Sequence, residues 1–268
     1  MTAEDSLREG NVEQALAQLQ DRVRKNPAAA KERIFLFQLL SVLGQWERAA
    51  SQLGVVGDLD ASAAPMVQTY RTALNCEAFR ATVFAGEKTP LVFGDPADWV
   101  ARMVEALRLA AQGRHADAER LRAEALEQAP AASGEIDGQA FDWIADADSR
   151  LGPICEAIVN GKYYWIPFNR LHVVAVEPPE DLRDFVWMPA RLTFANGGES
   201  VALIPTRYPG SESHAEGAIR LGRKTDWVQV SPESFHGLGQ RMFATEAGEY
   251  PLMAMRRIQI GEPVADAS

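Results

Sequence analysis

The feature that most constrains this chain is a change of pattern across residues 141–168, FDWIADADSRLGPICEAIVNGKYYWIPF. Upstream, apolar residues recur at helical spacing. Downstream, short β-branched and aromatic runs are separated by turn formers. Within the stretch, Phe141, Ile144, Asp148 and Leu151 fall on one helical row. Gly152 and Pro153 break it. Ile154, Ala157 and Ile158 then resume an apolar helical face, and Asn160-Gly161 supplies a left-handed C-cap. The stretch is therefore expected to be a helical and aromatic junction, packed between an N-terminal and a C-terminal part. The predicted division is 1–140, 141–168 and 169–268.

The N-terminal part carries a repeated signature. Glycine and alanine stand five apart at Gly10 and Ala15, Gly44 and Ala49, and Gly113 and Ala118. The first two glycines are 34 residues apart and the third is 69 further on. A 34-residue period is that of tetratricopeptide (TPR) helix pairs. Glycine permits the tight turn, and the small alanine lets two helices approach. Pro27 and Pro130, each 12 residues after the alanine, mark where second helices end. A middle unit is expected near Ala78 and Val83, eroded, on a helix of roughly residues 65–85. Trp46 and Trp99 are expected in the core. Residues 86–96 form a turn-rich loop, with Asp95 as N-cap and Pro96 as first residue of a helix over 97–112. Residues 129–138 are a second break. Stacked helix pairs offer a concave surface for a peptide or helix; the alternative is that they only pack on the second half.

The C-terminal part predicts about six strands: 170–176, 185–194, 199–204, 226–230, 241–245 and 252–260. Asn196-Gly197 is a hairpin signal. Pro209-Gly210, the glycines 237–239 and Gly248 read as turns, and residues 178–184 lead into one polar helical turn. The fold class is α+β: TPR-like helical repeats, then a mostly antiparallel small β barrel or curled sheet.

Charge and composition exclude several functions. The chain has 268 residues, is 47% hydrophobic and carries a net charge of −10. Residues 1–140 carry 20 acidic and 15 basic side chains, and residues 141–268 carry 17 and 12, so each half is −5. Neither half has the basic excess of a nucleic-acid surface or an anionic-membrane binder. The polar N-terminus is no signal peptide, and no apolar run is long enough to span a bilayer. Cys76 and Cys155 lack metal-ligand spacing and are expected to be reduced and buried. A cytoplasmic protein without cofactor or metal is expected.

Catalytic signatures fail one by one. There is no Walker A motif, and the glycine run at Gly237 and Gly239 lacks the final glycine of a dinucleotide fingerprint. Asp146 and Asp148 begin like a calcium loop, but Arg150, Leu151 and Ala157 stand where acid, glycine and glutamate are needed; a charged helix face is the plainer expectation. His115, His172, His214 and His236 have no helical i, i+4 partner. Ser211, Ser213, His214 and Glu216 cluster without a GxSxG elbow. The remaining set is polar and aromatic. Tyr163, Tyr164, Trp165, Arg183, Trp187, Arg207 and Tyr208, with Asp181 and Asp184, form either a protein-binding hot spot or a seam between halves in which arginines satisfy buried carboxylates.

Four motifs, ADADSRLGP, EAIVNGKYYWIPF, EPPEDLRDFVWMPA and ALIPTRYPGSE, span Trp143 to about Glu212, and GQRMFATEAGEYPLMAMRRI follows at 239–258. Together they resemble the ImpE family, also known as TagJ or SciE-type. The resemblance implies a non-enzymatic accessory protein of bacterial type VI secretion. Its expected partners are the small sheath subunit (TssB-like) and the ClpV AAA+ ATPase, to which the adaptor would link it. Alternatives are an enzyme with a dispersed site such as Asp184, Arg207 and His214, or a purely structural assembly factor.

Overall fold

A computed structural model describes residues 2–95 and 97–261. The helices are α1 (Ala3–Arg8), α2 (Val12–Lys25), α3 (Ala30–Val42), α4 (Trp46–Leu59), α5 (Ala64–Phe84), α6 (Asp98–Ala111), α7 (His115–Gln128) and the short α8 (Gly217–Arg220). The strands are β1 (Leu91–Val92), β2 (Gly134–Ile136), β3 (Gln139–Phe141), β4 (Ala145–Asp146), β5 (Ile154–Val159), β6 (Lys162–Pro167) and β7 (Leu171–Val176). They continue with β8 (Trp187–Phe194), β9 (Glu199–Pro205), β10 (Thr225–Ser231), β11 (Ser234–Gly239), β12 (Met242–Thr245), β13 (Gly248–Pro251) and β14 (Arg257–Ile260).

The Gly-x4-Ala signature marks helix hairpins. Gly10, Gly44 and Gly113 have φ of 78°, 65° and 76° and turn α1 into α2, α3 into α4, and α6 into α7. Such angles suit glycine because it lacks a Cβ. Ala15, Ala49 and Ala118 are buried at the starts of the second helices. Pro27 and Pro130 each stand two residues beyond the end of a second helix. A regular tetratricopeptide array is not established, however. Where a turn was expected near Ala78, α5 runs uninterrupted for 21 residues. Helix α6 begins at Asp98 with Ala97 as its N-cap, so Asp95 does not cap it; Pro96 lies outside the described residues. Trp99 is buried, and half-buried Trp46 packs on Trp187.

Residues 141–168 are strands rather than a helical junction. Asn160 and Gly161 have φ of 48° and 75°, both positive, and close the β5–β6 hairpin. Paired positive φ is the signature of a type I′ turn, whose twist matches the strands. Asp137 and Gly138, at 49° and 83°, do the same for β2–β3. All six residues of β5 are buried, so the strand shows no amphipathic alternation that would separate it from a helix.

One nine-stranded sheet runs β1-β6-β5-β9-β8-β7-β14-β2-β3, with smaller sheets β13-β12-β4 and β10-β11. Pairing is antiparallel except for β1 on β6. The main sheet is open, with β1 and β3 at its two edges, so no barrel closes. Three further strand expectations need correction. Glycines 237–239 lie in β11 rather than in a turn; residues 252–260 contribute only β14; and β1 to β6 were not foreseen as strands. The polar turn holds: Asp181 and Asp184 form a capping box on the 3-10 turn Leu182–Phe185.

Each face of the sheet has its own core. Ile154, Ile158, Tyr163, Trp165, Trp187 and Leu203 pack with the helices. Cys155, Ala157, Val159, Ile166, Met188 and Ile204 pack on the opposite side with Phe243, Leu252 and Ile258. Both cysteines are free and buried. Among the described residues, no helix is long and apolar enough to cross a membrane.

Candidate functional site

Strand alternation places Glu156 on the face of β5 shared by Ile154 and Ile158, under α5. An unpaired carboxylate there would be very costly. Arg80 of α5 donates to it through Nε at 2.7 Å and Nη2 at 3.0 Å. Arg241 and the Tyr163 hydroxyl donate as well. Trp165 Nε1 donates to the Tyr163 oxygen at 2.8 Å, so the phenol is used on both sides. Arg80 also reaches Glu77, whose other oxygen accepts Trp187 Nε1 at 3.0 Å. Arg241 bridges onward to Asp146, which accepts Tyr208 OH at 3.0 Å and the Asp148 amide at 2.9 Å.

Burial alone would raise the Glu156 carboxyl, but Arg80 and Arg241 outweigh it and hold it at about 2. Burial pushes Asp146 up to about 7 against the pull of Arg241, with Asp148 adding to the rise. Arg207 is brought down to about 10 by burial; its guanidinium donates to the carbonyls of Val42, Ser41 and Arg220. Two buried arginines, 80 and 241, thus face three buried acids, Glu77, Asp146 and Glu156, while buried Arg207 is held by carbonyls. The arrangement ties helices to sheet, and every one of these groups is engaged.

The aromatic and arginine set singled out from the sequence is brought together here. Tyr163, Trp165, Trp187, Arg207 and Tyr208 are buried, while Tyr164 and Arg183 are half-buried. Trp187 packs at a tilt against Tyr70 at 5.7 Å and Trp46 at 6.1 Å; Tyr163 meets Phe79 at 6.1 Å and Trp165 meets Phe84 at 6.3 Å. Arg183 lies over the Tyr70 ring and pairs with Asp181. Tyr164 packs on Phe93 on the other side of the sheet. These contacts are all internal to the chain. The partners Arg80, Glu77, Glu156 and Arg241 were missed by sequence reasoning. Glu156 carried a signal, as a lone acid among apolar neighbours in ICEAIV.

Asp184, Arg207 and His214 do not converge on one point of chemistry. Asp184 accepts the amides of Glu180 and Asp181, Arg207 holds carbonyls, and His214 Nδ1 accepts the Glu216 amide at 3.1 Å. Ser211 donates to the Tyr208 carbonyl and accepts the Gly239 amide, a structural use of its hydroxyl. Asp146 and Asp148 lie on no charged helix face: both are buried, and Asp148 is gripped by Arg150. Among the described residues, no three His, Cys, Asp or Glu side chains are grouped to hold a metal ion.

Open apolar grooves lie on the surface of the described residues, among them two at the ends of helices α6 and α7. One, of about 570 Å³, runs between the end of α7, residues 129–132 and β4. Six alanines line it beside Arg122, Asp146 and Glu233, and Leu126 and Trp143 in the lining are 45% and 41% exposed. The other, of about 390 Å³, lies between β1 and α6, lined by Val92, Ala97, Val100, Ala101 and Val104.

A family model described as "ImpE protein" matches residues 138–259. The chain is 53% identical over 258 residues, 96% of its length and 90% of the relative's, to the "Type VI secretion system accessory component TagJ" of Pseudomonas aeruginosa. The crystal structure of protein VPA1032 from Vibrio parahaemolyticus shares the fold, with a TM-score of 0.89 over 98% of both chains at 23% identity.

Proposed function

This chain belongs to the ImpE family, and on that premise we propose that it is a cytoplasmic, non-enzymatic accessory component of type VI secretion, an adaptor for the small sheath subunit. The observation that carries the proposal is the 53% identity to TagJ over nearly the whole chain. The interior supports an adaptor rather than an enzyme, because its charged groups are spent on one another. Contact then falls to the surface. The groove between α7 and β4 is assigned to an amphipathic helix of the TssB-like subunit, with Trp143 and Leu126 as anchors. Exposed tryptophan beside small side chains suits knob-like apolar insertion, and tryptophan is enriched at binding hot spots. The buried set around Tyr163, Trp165, Trp187, Arg207 and Tyr208 serves as the frame that fixes this surface. Linking the bound sheath subunit to ClpV completes the proposed role.

Calorimetry of the full chain with the sheath subunit tests the proposal, with ClpV pull-down in the presence and absence of that subunit as a second arm. Trp143→Ala is expected to weaken binding by about 2 kcal/mol, roughly thirty-fold in Kd. Absence of any binding to the intact sheath subunit overturns the adaptor role. Binding that is indifferent to Trp143→Ala and Leu126→Asp overturns only the choice of groove.

A further inference from the structure

The hairpin β10–β11 belongs to neither larger sheet. A lone two-stranded hairpin is marginal in water, so this one depends on what it lies against. Its backing is the α6–α7 pair, the turn at residues 148–150 and, at its base, Tyr208, Ser211 and α8, where the Trp227 ring meets Tyr208 at 5.6 Å and the Gly239 amide donates to Ser211. The attachments to the α6–α7 pair and the 148–150 turn are polar. Arg122 Nη2 donates to the Glu233 carbonyl at 2.7 Å and to Ser234 Oγ at 2.8 Å. Ser231 Oγ donates to Glu119 at 2.6 Å, and Ser149 exchanges bonds with Phe235 through its amide and its hydroxyl. Asp148 accepts the Gly237 amide at 2.8 Å.

Behind these bonds lies a small cavity of about 10 Å³, lined by Met103, Ala106 and Leu107 of α6, His115 and Arg122 of α7, Arg150, and His236 of β11. That is about the space of one water molecule. His115 Nδ1 is buried with no partner, so the seam is imperfectly satisfied. The charged and titratable groups facing His236 are His115 and Arg122 from α7, Asp148 and Arg150 from the turn, and none from the lining of α6. The only acid in this set, Asp148, is already taken by Arg150 and the Gly237 amide.

We propose that His236 is an acid-sensitive latch: uncharged, it lets hairpin β10–β11 close over the α6–α7 pair, and protonated, it releases the hairpin from that pair before the rest of the fold opens. A new positive charge on β11 would face two guanidiniums across a cavity too small for a hydration shell. Burial, with Arg150, His115 and Arg122 adding to it, holds the imidazole down at about 4 from its ordinary 6.5. The closed hairpin therefore binds fewer protons than the open one, and opening gains ground as pH falls from 6.5 towards 4. Release uncovers Met103, Ala106 and Leu107, an apolar face that the hairpin otherwise occupies.

Amide hydrogen exchange of the full chain, corrected for the intrinsic rate at each pH, tests the latch. Between pH 8 and pH 5 the protection of amides in residues 225–239 is expected to fall about thirty-fold, the ratio set by one group moving between 6.5 and 4. Amides of β5 and β6 should hold their protection. His236→Gln should abolish most of the hairpin's pH dependence, whereas His115→Gln should leave it in place. An imidazole NMR titration of the unmodified chain supplies the independent readout, with His236 expected to titrate near 4. Hairpin protection that does not change with pH, or that falls in step with β5 and β6, overturns the latch; so does a His236 titration above 6.

Discussion

Arg80 of α5 and Glu156 of β5, 76 residues apart in sequence, meet in a buried two-point ion pair, with Nε at 2.7 Å and Nη2 at 3.0 Å from the two carboxylate oxygens. Among the described residues, it is the ion pair that joins α1–α7 to the nine-stranded sheet.

Glu156→Gln should therefore unfold at much lower denaturant. Removing one partner of a buried pair leaves Arg80 and Arg241 with only Glu77 and Asp146 to answer two buried charges, and costs about 3–5 kcal/mol. Urea unfolding of the full chain, followed by tryptophan fluorescence, measures this, since Trp165 and Trp187 sit at the same network. A loss under about 1 kcal/mol, the range of an exposed pair, would contradict the structural role.

The same pair fixes an acid limb. The folded Glu156 carboxyl is depressed from 4.5 to about 2. A depressed carboxylate contributes stability that is fully present above its unfolded value and lost as pH falls through its folded value. The gap in stability between the unmodified chain and Glu156→Gln should be widest above pH 4.5 and close as pH falls towards 2. A gap that stays constant down to pH 2 would show that the carboxylate charge is not what stabilises.

At the β5–β6 turn, Gly161 has φ of 75°, and an added Cβ would lie 2.8 Å from Thr72 Cγ2. Gly161→Ala should cost about 1–2 kcal/mol through positive φ and the clash together. Asn160→Gly, at φ of 48°, should stay within about 0.5 kcal/mol because asparagine and glycine both tolerate that region. Thermal unfolding of the two variants separates them.

Gly237 lies against a ring rather than a ligand. An added Cβ would come 2.2 Å from Tyr208 Cδ2. Gly237→Ala must displace Tyr208, whose hydroxyl holds Asp146 and the Met242 amide. A loss of about 1–3 kcal/mol is expected from overpacking, with no change in affinity for any nucleotide. Denaturation and a nucleotide titration check the two halves of that statement.

The helix hairpins were legible because positive φ at Gly10, Gly44 and Gly113 leaves a residue-level trace. The same chemistry misled at Asn160-Gly161, since a helix C-cap and a type I′ turn both require left-handed backbone. What could have decided between them, alternation along β5, is erased by burial on both faces. The aromatic and arginine residues were picked out from the sequence as a set, and the structure puts most of them inside. Their counter-charges were out of reach. Arg241 finds Glu156 and Asp146 across 85 and 95 residues of chain, and no local pattern encodes a separation of that size. Trp143 and Leu126 looked unremarkable because exposure is a property of the packed surface, not of the residue.

The place of β14 has a consequence for how the chain is made. Although it is the last strand described, it lies inside the sheet, between β7 and β2, and the β2–β3 hairpin joins the sheet only through it. Synthesis runs from the N-terminus, so β2 and β3 leave the ribosome more than a hundred residues before the strand that receives them. Until residues 257–260 emerge, Ile136 and Phe141 have no sheet to close on and β7 offers a bare edge. A chain broken off in translation therefore displays a hydrophobic hairpin and an unpaired strand, the features by which chaperones and proteases tell an unfinished protein from a finished one.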